Sequence, residues 1–122
     1  MFTGLLRGGE RIDALADADV LVYPSQDEIF GITALEALMC GTPVIVSDDS
    51  GCGEIVRGTG GGAVIPCGDI DACARAMRDA LTAPARSRAA AAAAAAKIRS
   101  TYSADTVVDA LEAVYQEIVP CK

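Results

Sequence analysis

Pro24-Ser25-Gln26-Asp27-Glu28-Ile29-Phe30-Gly31-Ile32-Thr33-Ala34-Leu35-Glu36-Ala37-Leu38 joins an apolar run, Val20 to Tyr23, to a helical pattern through a short loop. Ala34, Leu35, Ala37, Leu38 and Met39 fall at helical spacing and Gly41-Thr42-Pro43 stops the pattern, so a helix is predicted from about Gly31 to Cys40. The first N–H groups of such a helix have no intrahelical partner and lie at the positive end of its dipole. The backbone of Gly31, Ile32 and Thr33 is therefore a candidate anion site. Gly31 lacks a Cβ and would let a ligand come close to that backbone. Glu28 stands just before the helix and Glu36 inside it. An ionised carboxylate only accepts, so it suits the hydroxyls of a sugar or a ribose. Carboxylate, anion site, carboxylate is the order in which sugar, diphosphate and ribose follow one another in a nucleotide-sugar.

Outward from this stretch the pattern alternates. Asp19 to Tyr23, Val44-Ile45-Val46 and Ala63-Val64-Ile65 are short β-rich runs without polar alternation, as in strands covered by helices on both faces. Strand and helix in turn predict a parallel sheet with right-handed crossovers and a ligand crevice beyond the carboxyl ends of the strands. Tyr23-Pro24-Ser25 and Ser47-Asp48 stand at those ends. The fold class is α/β: a partial Rossmann-like parallel sheet flanked by helices and ending in helices. Residues 1–122 form one partial domain, with the sheet core at about 1–82 and the terminal helices at about 83–119.

The remaining segments read as scaffold. Gly8-Gly9 opens a short helix in which Ile12, Leu15 and Ala16 share a face. Asp48-Asp49-Ser50-Gly51-Cys52-Gly53-Glu54 reads as an acidic, solvated turn feeding a short helical piece, Glu54 to Arg57, and Gly58 to Gly62 as a mobile connection. Asp69 caps a helix whose stripe is Ile70, Cys73, Ala74, Met77 and Leu81, and Pro84 ends it. Ser87 to Tyr102 holds eight consecutive alanines, Ala89 to Ala96, predicting a helix that lies close on a neighbour or is largely exposed. The last helix starts near Ser103 to Asp105 and has Val107, Val108, Leu111, Val114, Tyr115 and Ile118 as its buried stripe.

Composition excludes several classes of function. A net charge of −7 with ten basic residues argues against nucleic acid or an anionic membrane as partner. No apolar run is long enough to span a bilayer, and the first residues lack the pattern of a secretion signal, so a cytoplasmic protein is expected. The five cysteines, Cys40, Cys52, Cys67, Cys73 and Cys121, show no CxxC pairing, and histidine is absent. Neither a disulfide framework nor a metal site is supported, and no nucleophile can be activated by a histidine of this chain.

Glu28-Ile29-Phe30-Gly31-Ile32-Thr33-Ala34-Leu35-Glu36 resembles the ExxxxxxxE motif of retaining glycosyltransferases of the GT-B fold, family 4 or glycosyl transferases group 1. The run continues as Ala37-Leu38-Met39-Cys40-Gly41-Thr42-Pro43-Val44-Ile45-Val46-Ser47, similar to the family's EAMACGxPVI. Phe2-Thr3-Gly4, Ala18 to Ser25, Gly51-Cys52-Gly53-Glu54-Ile55-Val56 and Gly62-Ala63-Val64-Ile65-Pro66 keep the family's order. The family usually has glycine where this chain has Ile29. The resemblance implies the C-terminal, donor-binding half of a GT-B enzyme, retaining and independent of metal and of any cofactor besides its UDP-, GDP- or ADP-sugar substrate. By position, Glu28 is the candidate catalytic residue beside the donor sugar. Backbone near Phe30, Gly31, Ile32 and Thr33 contacts sugar and phosphates, Glu36 holds the ribose, and the loop around Gly51 approaches the donor.

In the family the acceptor site lies in an N-terminal domain, so this chain alone is expected to be inactive without that domain or a partner chain. The alternatives are a non-catalytic donor-binding subunit and an inactive truncated remnant. In the doubly wound strand order, Phe2-Thr3-Gly4 would correspond to the third strand and Asp19 to Tyr23 to the fourth, with the first two strands absent between them. The chain is then expected to pair Phe2-Thr3-Gly4 directly with Val20 to Tyr23, or to self-associate through that exposed edge, and to bind donor poorly.

Overall fold

A computed structural model describes residues 1–49 and 51–119. Six helices and three strands follow in order: α1 (Gly9–Asp17), β1 (Leu21–Tyr23), α2 (Ile32–Met39), β2 (Val44–Ser47), α3 (Gly51–Thr59), β3 (Gly62–Ile65), α4 (Ile70–Thr82), α5 (Pro84–Thr101) and α6 (Ala104–Ile118). The strands form one parallel sheet in the order β1-β2-β3, with Leu21 opposite Val44 and Val44 opposite Gly62. This is the partial Rossmann-like architecture read from the alternating pattern.

Successive residues of a strand point to opposite faces, and the two faces of β2 are clothed differently. Val44 and Val46 enter the main core with Ala34, Leu35 and Leu38 of α2 and Cys52, Ile55 and Val56 of α3. Ile45 and Ile65 turn to the other face, where α4 packs on β2 and β3. The alanine-rich helix takes the close option: Ala91, Ala94, Ala95 and Ile98 are buried, and α5 lies on α2 with little more than methyl groups between them. Pro84 starts α5 at a first-turn position, where its missing N–H leaves no bond unmade. Asp69 accepts from the Ala72 N–H at 2.8 Å and caps α4, as the sequence indicates.

Five expectations are corrected. Phe2-Thr3-Gly4 forms no strand: Gly4 and Gly8 have φ of 70° and 51°, which turns the segment away from an extended path, and Phe2 stands in solvent. β1 is therefore an edge strand, with β2 on one side and no strand beside it on the other among the described residues. The solvated turn is shorter than expected, because α3 begins at Gly51 and buries Cys52 and Gly53 (Ser50 lies outside the described residues). The glycine run is packed rather than loose. Gly58 and Thr59 finish α3, the Gly60 N–H caps the Val56 carbonyl at 2.8 Å, and Gly62 enters β3 against the backbone of Val44.

The stripes of α4 and α6 are not buried. In α4, Ile70 and Leu81 are exposed and the smaller Ala72, Cys73, Ala76 and Ala80 turn inward, since small side chains let the helix approach the sheet. In α6, Leu111 is 50% exposed and Ile118 69%, because α6 touches α5 and nothing among the described residues covers its apolar face. Lastly, Ile12 and Ala16 of α1 are exposed and Leu15 alone reaches the core. Cys40, Cys52, Cys67 and Cys73 are free thiols; Cys121 lies outside the described residues. Among the described residues no helix is long and apolar enough to cross a membrane.

Candidate functional site

The loop from Pro24 to Gly31 leaves the carboxyl end of β1 and is pinned from the neighbouring strand and helix. Ser47 Oγ donates to the Ser25 carbonyl, and the Gly51 N–H donates to the Glu28 carbonyl at 3.3 Å. The start of α3 thus supports the loop from beneath. Among the described non-glycine residues only Asp27 has a positive φ, 55°, so Ile29 occupies its position without a left-handed backbone. Its side chain is exposed.

Glu28 turns its carboxylate back onto the loop. Oε2 accepts from the Tyr23 hydroxyl at 2.8 Å, and Oε1 from the Phe30 N–H at 3.3 Å. The Tyr23 bond first, and the loop N–H groups after it, hold the Glu28 carboxyl below its ordinary value; the same bond raises the Tyr23 phenol. A lowered carboxyl pKa in the fold means that the ionised form is favoured there. The stabilisation it brings is present above the ordinary glutamate range and is lost as pH falls through the depressed value. Tyr23→Phe should therefore move the Glu28 carboxyl titration, followed by carbon NMR, to higher pH. An unmoved midpoint would remove the hydroxyl as the cause.

Gly31 caps α2 with φ 73° and ψ 51°. A Cβ at this position would lie 2.8 Å from Cys52 Cβ and 3.2 Å from its Sγ. The glycine is required for packing α2 onto α3, and Gly31 is buried. Cys52 is an inert thiol: burial, and then the nearby Glu28 charge, push it up to about 11. Ile32 and Thr33 supply the first N–H groups of the helix proper, and the Ile32 side chain is exposed.

Glu36 sits on the partly exposed face of α2, between buried Leu35 and Ala37, and is ion-paired with Arg11 of α1. Glu28, Phe30 and Gly31 lie in the loop, and Ile32, Thr33 and Glu36 lie in the first two turns of α2. Phe30 is further braced by the ring of Tyr102 at the end of α5, edge to face at 6.4 Å. In the sequence Tyr23 stands at the crevice end of its strand with no bond to Glu28 assigned to it, and Arg11 has no role. Tyr23 ends a strand five residues before Glu28, a position that could have marked it, whereas Arg11 lies 25 residues from Glu36 and carries no local signal.

Across the loop, Asp49 is held ionised by the Cys67 thiol and then by the Asp27 N–H, and Asp48 Oδ1 accepts from the Cys67 N–H at 3.0 Å. Among the described residues no group of three or more His, Cys, Asp or Glu is arranged to hold a metal ion. A cavity of about 660 Å³ lies elsewhere, between the sheet and α4 and α5, lined by Ile45, Ile65, Arg75 and Arg86 among others. It holds neither glutamate.

Carboxylates before and within a helix start can orient a polyhydroxylated, phosphorylated ligand, and the chain is similar to known proteins. The model of the family described as glycosyl transferases group 1 matches residues 1–98. A 2-deoxystreptamine N-acetyl-D-glucosaminyltransferase from Streptomyces fradiae is 40% identical over 92% of this chain and 27% of its own length. A D-inositol 3-phosphate glycosyltransferase from Mycobacterium avium is 39% identical over 84% of the chain and 24% of its length. Among solved structures, a sucrose-phosphate synthase from Thermosynechococcus elongatus superposes with a TM-score of 0.81 at 28% identity, covering 97% of this chain and 30% of that one. The chain thus spans from 24% to 30% of the length of these relatives.

Proposed function

The chain belongs to the glycosyl transferases group 1 family, and from that membership we propose that the segment from Glu28 to Glu36 binds the donor nucleotide-sugar of a hexosyl transfer. Its parallel sheet flanked by helices is part of a GT-B fold. In this reading Glu28 meets the sugar, the N–H groups of Ile32 and Thr33 meet the diphosphate without a metal ion, and Glu36 meets the ribose. The observation that carries it is the placement of Glu28 in the loop leaving the carboxyl end of β1, just before the start of α2, where open α/β sheets bind ligands, with Glu36 further along the same helix. Residues outside this chain supply the acceptor site, and transfer retains configuration at the sugar. The names of the relatives are of transferases and synthases with different products, so the donor is specified here only as a nucleoside diphosphate sugar.

Glu28 touches the sugar and not the nucleoside, which gives the test. Glu28→Ala should weaken UDP-, GDP- or ADP-sugar binding about fivefold, a modest effect because Tyr23 and Phe30 already use part of its accepting capacity. Binding of the matching sugar-free diphosphate should not change. Equal losses for both ligands in a calorimetric titration would place Glu28 elsewhere.

A further inference from the structure

We propose that Arg11 is a positioning residue that holds the Glu36 carboxylate in the orientation that receives the ribose hydroxyls, an inference that rests on the reading of Glu36 above. Arg11 Nη1 donates to Glu36 Oε2 from a different helix. A carboxylate has about four acceptor positions, and among the described residues the single contact, to Oε2, leaves Oε1 open to take hydroxyl protons. The Glu36 side chain stays 25% exposed and Arg11 44%, so the pair is reachable from solvent.

α1 is built as a rigid mount for this contact. Leu15 follows Arg11 by four residues and shares its side of the helix, and it is the one side chain that α1 buries. The carbonyl of Leu15 accepts from Thr42 Oγ1 at 2.6 Å, and that of Ala18 from Arg88 Nη2 at 3.2 Å. The helix is thereby fastened to the end of α2 and to α5. Its contribution to the site is one cation aimed at one carboxylate. An ion pair this exposed adds little to folding stability. Its consequence is conformational: a glutamate with three rotatable bonds must otherwise be ordered by the ligand, a cost that corresponds to about two- to tenfold in affinity.

The experiment is a calorimetric titration of the 122-residue chain with UDP, GDP and ADP and with their 2′,3′-dideoxy counterparts, using Arg11→Ala, Arg11→Lys, Glu36→Gln and the double variant Arg11→Ala/Glu36→Gln. Arg11→Ala should weaken ribonucleotide binding about two- to tenfold and leave dideoxynucleotide binding as it was. Arg11→Lys should restore part of the loss, and Arg11→Ala should add nothing on top of Glu36→Gln. Ribonucleotide binding that is unchanged or tighter in Arg11→Ala, or an equal loss for ribo- and dideoxynucleotides, overturns the proposal, the second result marking a purely structural role. If Glu36→Gln itself leaves the preference for ribose intact, or if no nucleotide binds the chain at millimolar concentration, the ribose reading falls and the role of Arg11 falls with it.

Discussion

Glu36→Gln should weaken nucleotide binding by about 1.5–3 kcal/mol, the contribution of hydrogen bonds to a charged acceptor, while the melting temperature stays nearly unchanged. The substitution keeps the size of the side chain and removes one accepting oxygen together with the charge. The residue is partly exposed and paired to a single exposed arginine, so the fold has little at stake in it. The nucleotide has much more, because a ribose held through vicinal hydroxyls needs an acceptor at each. Calorimetry on parent and variant, with a thermal melt of each, separates the two quantities. A variant that binds as tightly as the parent removes Glu36 from the ribose, and one that melts well below it makes the residue structural.

The second large effect falls on the fold. An alanine Cβ at position 62 would lie 1.9 Å from the Val44 carbonyl oxygen and 2.8 Å from its carbon. Both atoms belong to the backbone of the central strand, and Val44 is opposite Gly62 in the register, so relief requires β2 and β3 to separate. Overpacking costs about 1–3 kcal/mol where side chains can yield, and here the obstacle is a strand. Gly62→Ala should therefore cost about 3 kcal/mol or more and lower the melting temperature by about ten degrees or more. The cost is high because β3 is packed by α3, α4 and α5, so its displacement disturbs all three contacts. A melting temperature within about two degrees of the parent would show that the strands accommodate the methyl group easily.

The sequence was most readable where one face of a segment meets one partner. α2 was legible almost to the residue, because Ala34, Leu35, Ala37 and Leu38 all turn to the same core and Gly41 and Pro43 mark its end. β2 was legible because four successive buried residues are what a strand between two layers requires. The stripe of α6 was equally clear as a pattern and yet is exposed; periodicity shows that a helix has an apolar face, not that the described chain contains what covers it. Helix α4 misled for a different reason. Its large residues were read as the buried face, whereas close approach to the sheet selected the alanines. At the site, Glu28 and Glu36 could be found through their motif, but Tyr23 and Arg11 reach them through space, across a loop and between helices. The packing role of Gly31 had no local signal, since the space for a Cβ there is taken by Cys52, a residue 21 positions away.

The site assigned to the donor is the loop and first turns of α2, not the cavity beside α4. Backbone amide spectra of the labelled chain, recorded through a titration with UDP-, GDP- and ADP-sugars in turn, test this directly. For the sugar nucleotide that binds, the account predicts saturable shifts concentrated at Phe30, Gly31, Ile32 and Thr33, extending to Glu36 and Arg11, with the amides of Arg75 and Arg86 unmoved. Shifts centred on Ile45, Arg75 and Arg86, or no saturable shift with any of the three ligands, would contradict it.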